Sequence, residues 1–373
     1  MRKKFIVFCL LVLPWAGFDG DGVGEISYIA DRATITRNGK TQRADFGSQI
    51  ENFDSITTAA KGLAEIAVYP ETGIDGTIRV QPNTTLYLEL SSLRGEQKAA
   101  VELLSGSVSA AVKKLAGKSE FAIRGQGVVM GVRGTSFDVA TSAAGDVLVT
   151  CSEGRVVCTD ENGTELAAEP GTAVEKTADG DFRSIPVRVS DIEAFRRNWN
   201  AEKIEAFKAN AGLVIRDYAA RYIDLKAKFD EAYRGLLVRH DILDKWFRED
   251  AKNTVGTKVE TMREKTALMP ALMKIRGVNF LFERVYHRLL ELQEYHRQGF
   301  GKGYVGGGVN ADQFFRRLQN EAGDLENRTG IVRYALKLYA KRNDGVSLFD
   351  DLLGGKGPVD SGISEEEDFF KSN

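Results

Sequence analysis

Histidine and cysteine are scarce, with three of each in 373 residues. No cysteine pair reads CxxC and no helix reads HExxH, so there is no metal-ligand set and no Cys/His nucleophile to assign. An excess of charge of one sign is also missing. The 51 Lys+Arg and 53 Asp+Glu leave a formal net charge of -2, which excludes a polycation built to neutralise phosphate, and nucleic acid is not an expected partner. Beyond the first residues no apolar run approaches the about 20 residues that cross a bilayer. Catalytic, cofactor-binding and metal-binding residues are therefore all expected to be none, and the chain reads as a non-enzyme.

What is present is enough apolar sequence, 43%, for ordinary cores in two or three domains. Met1-Arg2-Lys3-Lys4 followed by the apolar run Phe5 to Trp15 and the small pair Ala16-Gly17 reads as a signal peptide over 1–22. The expected location is periplasmic or exported. An uncleaved anchor and, through Cys9, a lipoprotein are the alternatives.

From 23 to 187 short apolar or alternating runs such as Ala64 to Tyr69 and Thr85 to Leu90 are broken by Asn38-Gly39, Asp75-Gly76, Asn162-Gly163 and Asp179-Gly180. These dipeptides accept the positive φ of tight turns, and the spacing predicts an all-β domain, an antiparallel sandwich or coiled β-sheet. Cys151 and Cys158 flank Glu153-Gly154. If that pair is a hairpin turn, the two sulfurs sit diagonally on one face, about 7 Å apart, so free thiols and a disulfide both stay open.

At Ser190-Asp191-Ile192-Glu193 the pattern changes to a capping box and a helical period. Phe207, Ala211, Tyr218, Tyr222, Leu225, Phe229 and Leu236 form one apolar stripe, giving an all-α hairpin or bundle over 188–298 with coiled-coil character open in its first helix. Helices are expected at 240–252, 257–275 and 278–298. The six glycines between 299 and 308 predict a flexible hinge at 299–310, followed by two short helices within 311–353 and an unstructured acidic tail at 354–373. The β-region carries 16 basic against 22 acidic residues and 188–298 carries 22 against 17. Those opposite signs would let the helices face an acidic partner, the β-domain of the same or another copy included, although a solvated helix surface explains the count as well.

Three tempting patterns are set aside. Gly125 to Gly131 lacks the βαβ setting of a dinucleotide loop, Gly301 to Gly308 lacks a GK[ST] ending, and His287 and His296 do not share a helix face.

The β-region resembles the FecR domain. The likeness runs in order through Asp54-Ser55-Ile56-Thr57-Thr58, Ala64 to Val68, Gly76 to Thr84, Leu104-Ser105-Gly106-Ser107-Val108, Gly131 to Val139 and Glu153-Gly154-Arg155-Val156. It implies a non-catalytic sensing or protein-interaction module outside the inner membrane. Family regulators place an anti-sigma segment and a transmembrane helix before this domain, where about 22 residues stand here. In physical terms Gly106 and Gly154 read as turns or bulges that reject a Cβ, and Phe137 and Val139 share a strand face. Arg133, Tyr222 and Phe229 are the residues through which partner contact is conceivable. The expected partners are an envelope protein, or a second copy through the helices. A structural protein that binds cell-wall glycan is the alternative, and a pocket of convergent acidic residues would favour an enzyme instead.

Overall fold

The computed structural model describes residues 22–72, 74–93, 96–113, 120–132 and 134–344. The expected signal peptide and acidic tail lie outside them.

Residues 22–186 build two nine-stranded sheets. One runs from Phe182–Pro186 through Thr172–Lys176, Val147–Glu153, Ser136–Thr141, Ser107–Val112, Gly76–Val80, Leu63–Val68 and Gly22–Ala30 to Gln49–Glu51. The other runs from Glu165–Ala168 through Val156–Asp160, Val128–Val132, Glu120–Gly125, Glu96–Ser105, Thr85–Leu93, Ser55–Thr58 and Ala33–Arg37 to Lys40–Arg43. Pairings are antiparallel except between Glu96–Ser105 and Glu120–Gly125. The chain passes repeatedly from layer to layer, so strands close in sequence face each other across the core.

Those crossings explain the glycines. At Gly106 the chain leaves one sheet at Ser105 and enters the other at Ser107, with φ +89°. A Cβ there would meet Thr84 Oγ1 and stand 2.6 Å from the Asn83 carbonyl oxygen. Gly154 turns the corner between Val147–Glu153 and Val156–Asp160 with φ +84°, its missing Cβ 2.8 Å from Gly134 O. Only a residue without a Cβ makes such corners at low cost. Alternation then sends Ile35, Ile56, Ile78, Leu86, Val101, Ile123, Phe137 and Val139 between the layers.

The Glu153-Gly154 corner also corrects the geometry expected for the cysteines. Cys151 and Cys158 belong to different sheets, both buried and both free. Burial raises the Cys151 thiol and pushes Cys158 up to about 12.

Four helices follow: α1 (Ile192–Leu237), α2 (His240–Asp250), α3 (Lys258–Arg297) and α4 (Ala311–Lys341). The expected capping box at Ser190 does not form. A 3-10 turn covers Val189–Asp191, Ser190 Oγ donates to Asp191, and Glu193 pairs with Arg196. True capping boxes stand instead at Thr257/Glu260 and Asn310/Gln313. The helices expected to break near 276 and 322 are continuous. A mid-helix glycine costs about 1 kcal/mol, and buried residues on both sides (Leu272, Ile275, Phe280 and Phe282; Leu318, Leu325 and Val332) outweigh it.

The glycine-rich segment after α3 differs from the expected free hinge. It forms a small ribbon of Tyr304–Gly306 and Val309–Asn310, with Val305 buried, and Gly301 packs so closely on Ile215 and Ala211 of α1 that a Cβ would collide. The absence of side chains here serves close approach.

α1 and α3 run antiparallel, as the ring contacts Phe229–Phe282 and Phe207–Tyr295, both 4.8 Å, require. Their aromatic core extends into the β-domain through Phe53, Tyr87 and Ala143. Trp199, near the start of α1, joins a separate small core with Leu148 and Ala173.

Candidate functional site

The helices grip the outer face of the second sheet by charge. Glu102 accepts from Arg124 at 3.1 Å within the sheet and from Arg284 of α3 at 3.0 Å, while Arg276 reaches Glu89 at 3.3 Å. Arg288, fully buried, turns instead to the first sheet, donating to Thr141 Oγ1 at 2.9 Å, and pairs with Glu291 within α3 at 2.5 Å. From α4, Lys337 reaches Glu51, on the edge strand of that same first sheet, at 2.5 Å. At the first sheet, Arg196 of α1 pairs with Asp138, Lys203 lies 3.0 Å from both Asp146 and Glu175, and the indole N–H of Trp199 donates to Glu175 at 2.7 Å. Burial works to raise Glu102, but Arg124, Arg284 and Arg276 more than offset it and hold the carboxyl below its usual range. Glu175 is lowered too, burial being overcome by Trp199, Lys203 and Arg183. The basic helices and the acidic β-domain of this chain are thus each other's counterpart.

Where the helices stop touching the sheet a cleft of about 740 Å³ opens. Strand register builds its floor. Thr34, Thr57, Thr85 and Ser105 stand side by side on four successive strands, and Thr41, Thr36 and Ser55 form a second row beside them. Because side chains alternate, Ile35 and Ile56 point into the core while these hydroxyls point out. Thr36 and Thr41 share a hydrogen bond at 2.9 Å, and Thr57 and Thr85 share one at 3.2 Å.

One face of α3, from Glu283 through Tyr286, His287, Leu290 and Glu294 and on to Gln298 at the helix cap, makes the opposite wall, completed by α4 with Glu326 and Arg333. Each carboxylate on that wall already has a partner. Glu283 takes Arg333 and Asn279, Glu291 takes Arg288, Glu294 takes Arg297, and Glu326 accepts from the Tyr286 hydroxyl at 3.4 Å. His287 is half-buried, its imidazole pushed down to about 3 by burial and by Arg333, so it is neutral.

The residues singled out from sequence fall elsewhere. Tyr222 and Phe229 are buried in the α1/α3 interface. Tyr222 stands edge-on to Phe314 and donates to Glu321 at 3.1 Å, while Phe229 stacks between Tyr233 and Phe282. Their reach is to other helices of the same chain. Arg133 lies outside the described residues. Gly125 to Gly131 is a hairpin whose turn, Gln126-Gly127, has positive φ at both residues. Reading the sequence for function missed the threonine rows, whose signal was Thr34-Ile35-Thr36 and Ser55-Ile56-Thr57, with hydroxyls at alternate positions. It also missed Arg276, Arg284 and Arg288, spaced by eight and four on one helix face. Among the described residues no group of His, Cys, Asp and Glu could hold a metal ion, and no helix is long and apolar enough to cross a membrane.

Comparison with known proteins gives these residues a family. Residues 54–157 match the family model described as FecR protein. The match starts at Asp54, whose carboxylate Arg37 grips at 2.6 Å, and ends within the strand that follows the Gly154 corner. Two crystal structures, described provisionally as an anti-sigma factor from Parabacteroides distasonis ATCC 8503, at 2.50 Å and 1.65 Å, are similar at 14% and 13% identity with TM-scores of 0.32 and 0.30. Each alignment covers 38% of this chain and 63% of the other, so the chain spans less than two thirds of either. None of the curated proteins matches.

Proposed function

We propose that this is an exported, non-catalytic sensing module of the cell envelope, in which a FecR head held by a helical frame recognises another protein. The observation that carries the reading is the FecR match over the layered β-domain. The basic-then-apolar opening Met1 to Trp15 supports export. Engagement of every carboxylate on the cleft's helix wall argues against a hydrolytic pair, because no acid/base couple is left poised.

The partner-binding part of the frame is its far end. Leu237, Val238, Val255, Val259 and Met262, five of the twelve large hydrophobics exposed among the described residues, fall around the turn from α1 to α3, and Val238, Val259 and Met262 are each 72% exposed. Apolar side chains gathered at one end of a charged frame are the usual mark of a contact surface. Cross-linking followed by capture of the mature protein from cell envelopes tests this. Wild type retains a specific envelope protein, and Val259→Asp/Met262→Asp loses it while keeping its circular dichroism spectrum. Recovery of the same proteins with both forms overturns the surface, and recovery of only a second copy of the chain redirects the reading to self-association.

A further inference from the structure

We infer that the cleft between the threonine rows and α3/α4 is a binding site for a neutral oligosaccharide. This goes beyond the protein-recognition reading and does not depend on it.

Its floor is the first reason. Seven Ser and Thr side chains stand in two rows fixed by strand register, with about 4.8 Å between neighbouring strands. Thr34, Thr36, Thr41 and Thr57 reach the surface over the buried Ser55, Thr85 and Ser105, and since a hydroxyl has one donor and two acceptor positions, the Thr36–Thr41 and Thr57–Thr85 pairs each keep positions beyond the one bond they share. Because the strands are rigid and the side chains short, little conformational freedom is lost when those positions are used. A polyhydroxylated ligand matches such a floor group for group, while an alkyl chain or an apolar helix would strand its hydroxyls without water.

The wall supplies the second reason. Four carboxylates, Glu283, Glu291, Glu294 and Glu326, face two guanidinium groups, Arg297 and Arg333. That balance disfavours a phosphate or a uronate, whereas carboxylates are strong acceptors for sugar hydroxyls. Tyr295, half-buried, adds ring surface with a polar edge, and His287 makes no hydrogen bond with any described residue. The neutral imidazole therefore keeps one donor and one acceptor for a ligand.

Size agrees as well. The face from Glu283 to Gln298 is about 22 Å long at 1.5 Å per residue, room for several sugar rings in a row, and 740 Å³ lies within the about 300–1,000 Å³ usual for small-molecule sites.

The test is calorimetric titration of the full mature chain with tetramers of N-acetylglucosamine and of glucose, beside tetralysine and pentaphosphate. Saturable binding of at least one neutral tetramer is expected. Thr36→Val/Thr57→Val, which keeps β-branching and shape while removing two hydroxyls, weakens it at least tenfold, as does His287→Ala. Thr77→Val on the other sheet leaves it unchanged. Absence of binding by both tetramers overturns the inference, as does binding that Thr36→Val/Thr57→Val does not alter. Binding of tetralysine alone overturns it in favour of a cationic peptide. Loss of the protein partner through Val259→Asp/Met262→Asp with sugar binding intact would separate this site from the surface at the helical end.

Discussion

Between its layers the β head packs Ile, Val and Leu side chains delivered by strict alternation, whereas the helical frame is filled with stacked aromatic rings and meets the head through arginines and lysines. The head's core closes on itself, since each strand finds its neighbour within the same coil of sheet. The frame has no such closure. Its inner face is completed by Phe53, Tyr87 and Ala143 of the head and by the acidic residues beside them. A burial-driven core tolerates a change of pH; a contact that needs ionised carboxylates does not.

That contrast is broken most severely by Phe229→Ala. Phe229 is fully buried and stacks on Phe282 at 4.8 Å, so truncation should cost about 3–5 kcal/mol. Urea unfolding followed by circular dichroism should show the helical signal lost at much lower urea while the sheet signal persists. Simultaneous loss of both would mean that head and frame form one cooperative unit.

Next in size is Glu102→Gln. It removes the carboxylate that Arg124 and Arg284 share and should cost about 3 kcal/mol, the scale for breaking a buried pair. Acid should mimic it. Since Glu102 and Glu175 are held below their ordinary 4.5, their contribution is complete above that value and is lost as pH falls through the lower folded pKa. Hydrogen exchange at falling pH should therefore open α3 and the start of α1 before the head's inner strands. Protection lost uniformly would remove the distinction between the two regions.

The smallest effect sharpens the comparison at one point. Gly330 of α4 sits where a Cβ would stand 2.5 Å from Gly39 Cα in the Asn38-Gly39 turn. Gly330→Ala gains about 1 kcal/mol of helix propensity but overpacks a backbone contact at about 1–3 kcal/mol. A net loss near 1 kcal/mol is expected, with chemical-shift changes confined to the turn at 38–39 and to α4. A net gain in stability would show that the turn yields freely and that the frame rests on the head only through charge.

Much of this arrangement was legible in the sequence. Alternation at Ile35, Ile56, Phe137 and Val139 and the glycines at 106 and 154 specify layered strands and their corners, because a strand's period and a positive φ are local properties. The stripe from Phe207 to Leu236 likewise specifies α1. Helix continuity at 276 and 322 was not legible, since the packing that overrides a local glycine comes from distant residues. Neither was the cleft, whose floor joins Thr34, Thr57, Thr85 and Ser105 from four separate strands.

The sequence alone determined that one half would be sheet and the other helix, and that the two would carry opposite charge, because period and composition need no partner. Tertiary structure decided that those charges meet within one chain, that Tyr222 and Phe229 turn inward, and that two rows of hydroxyls face a helix wall. Register and docking set these outcomes, and both depend on contacts between residues far apart in sequence.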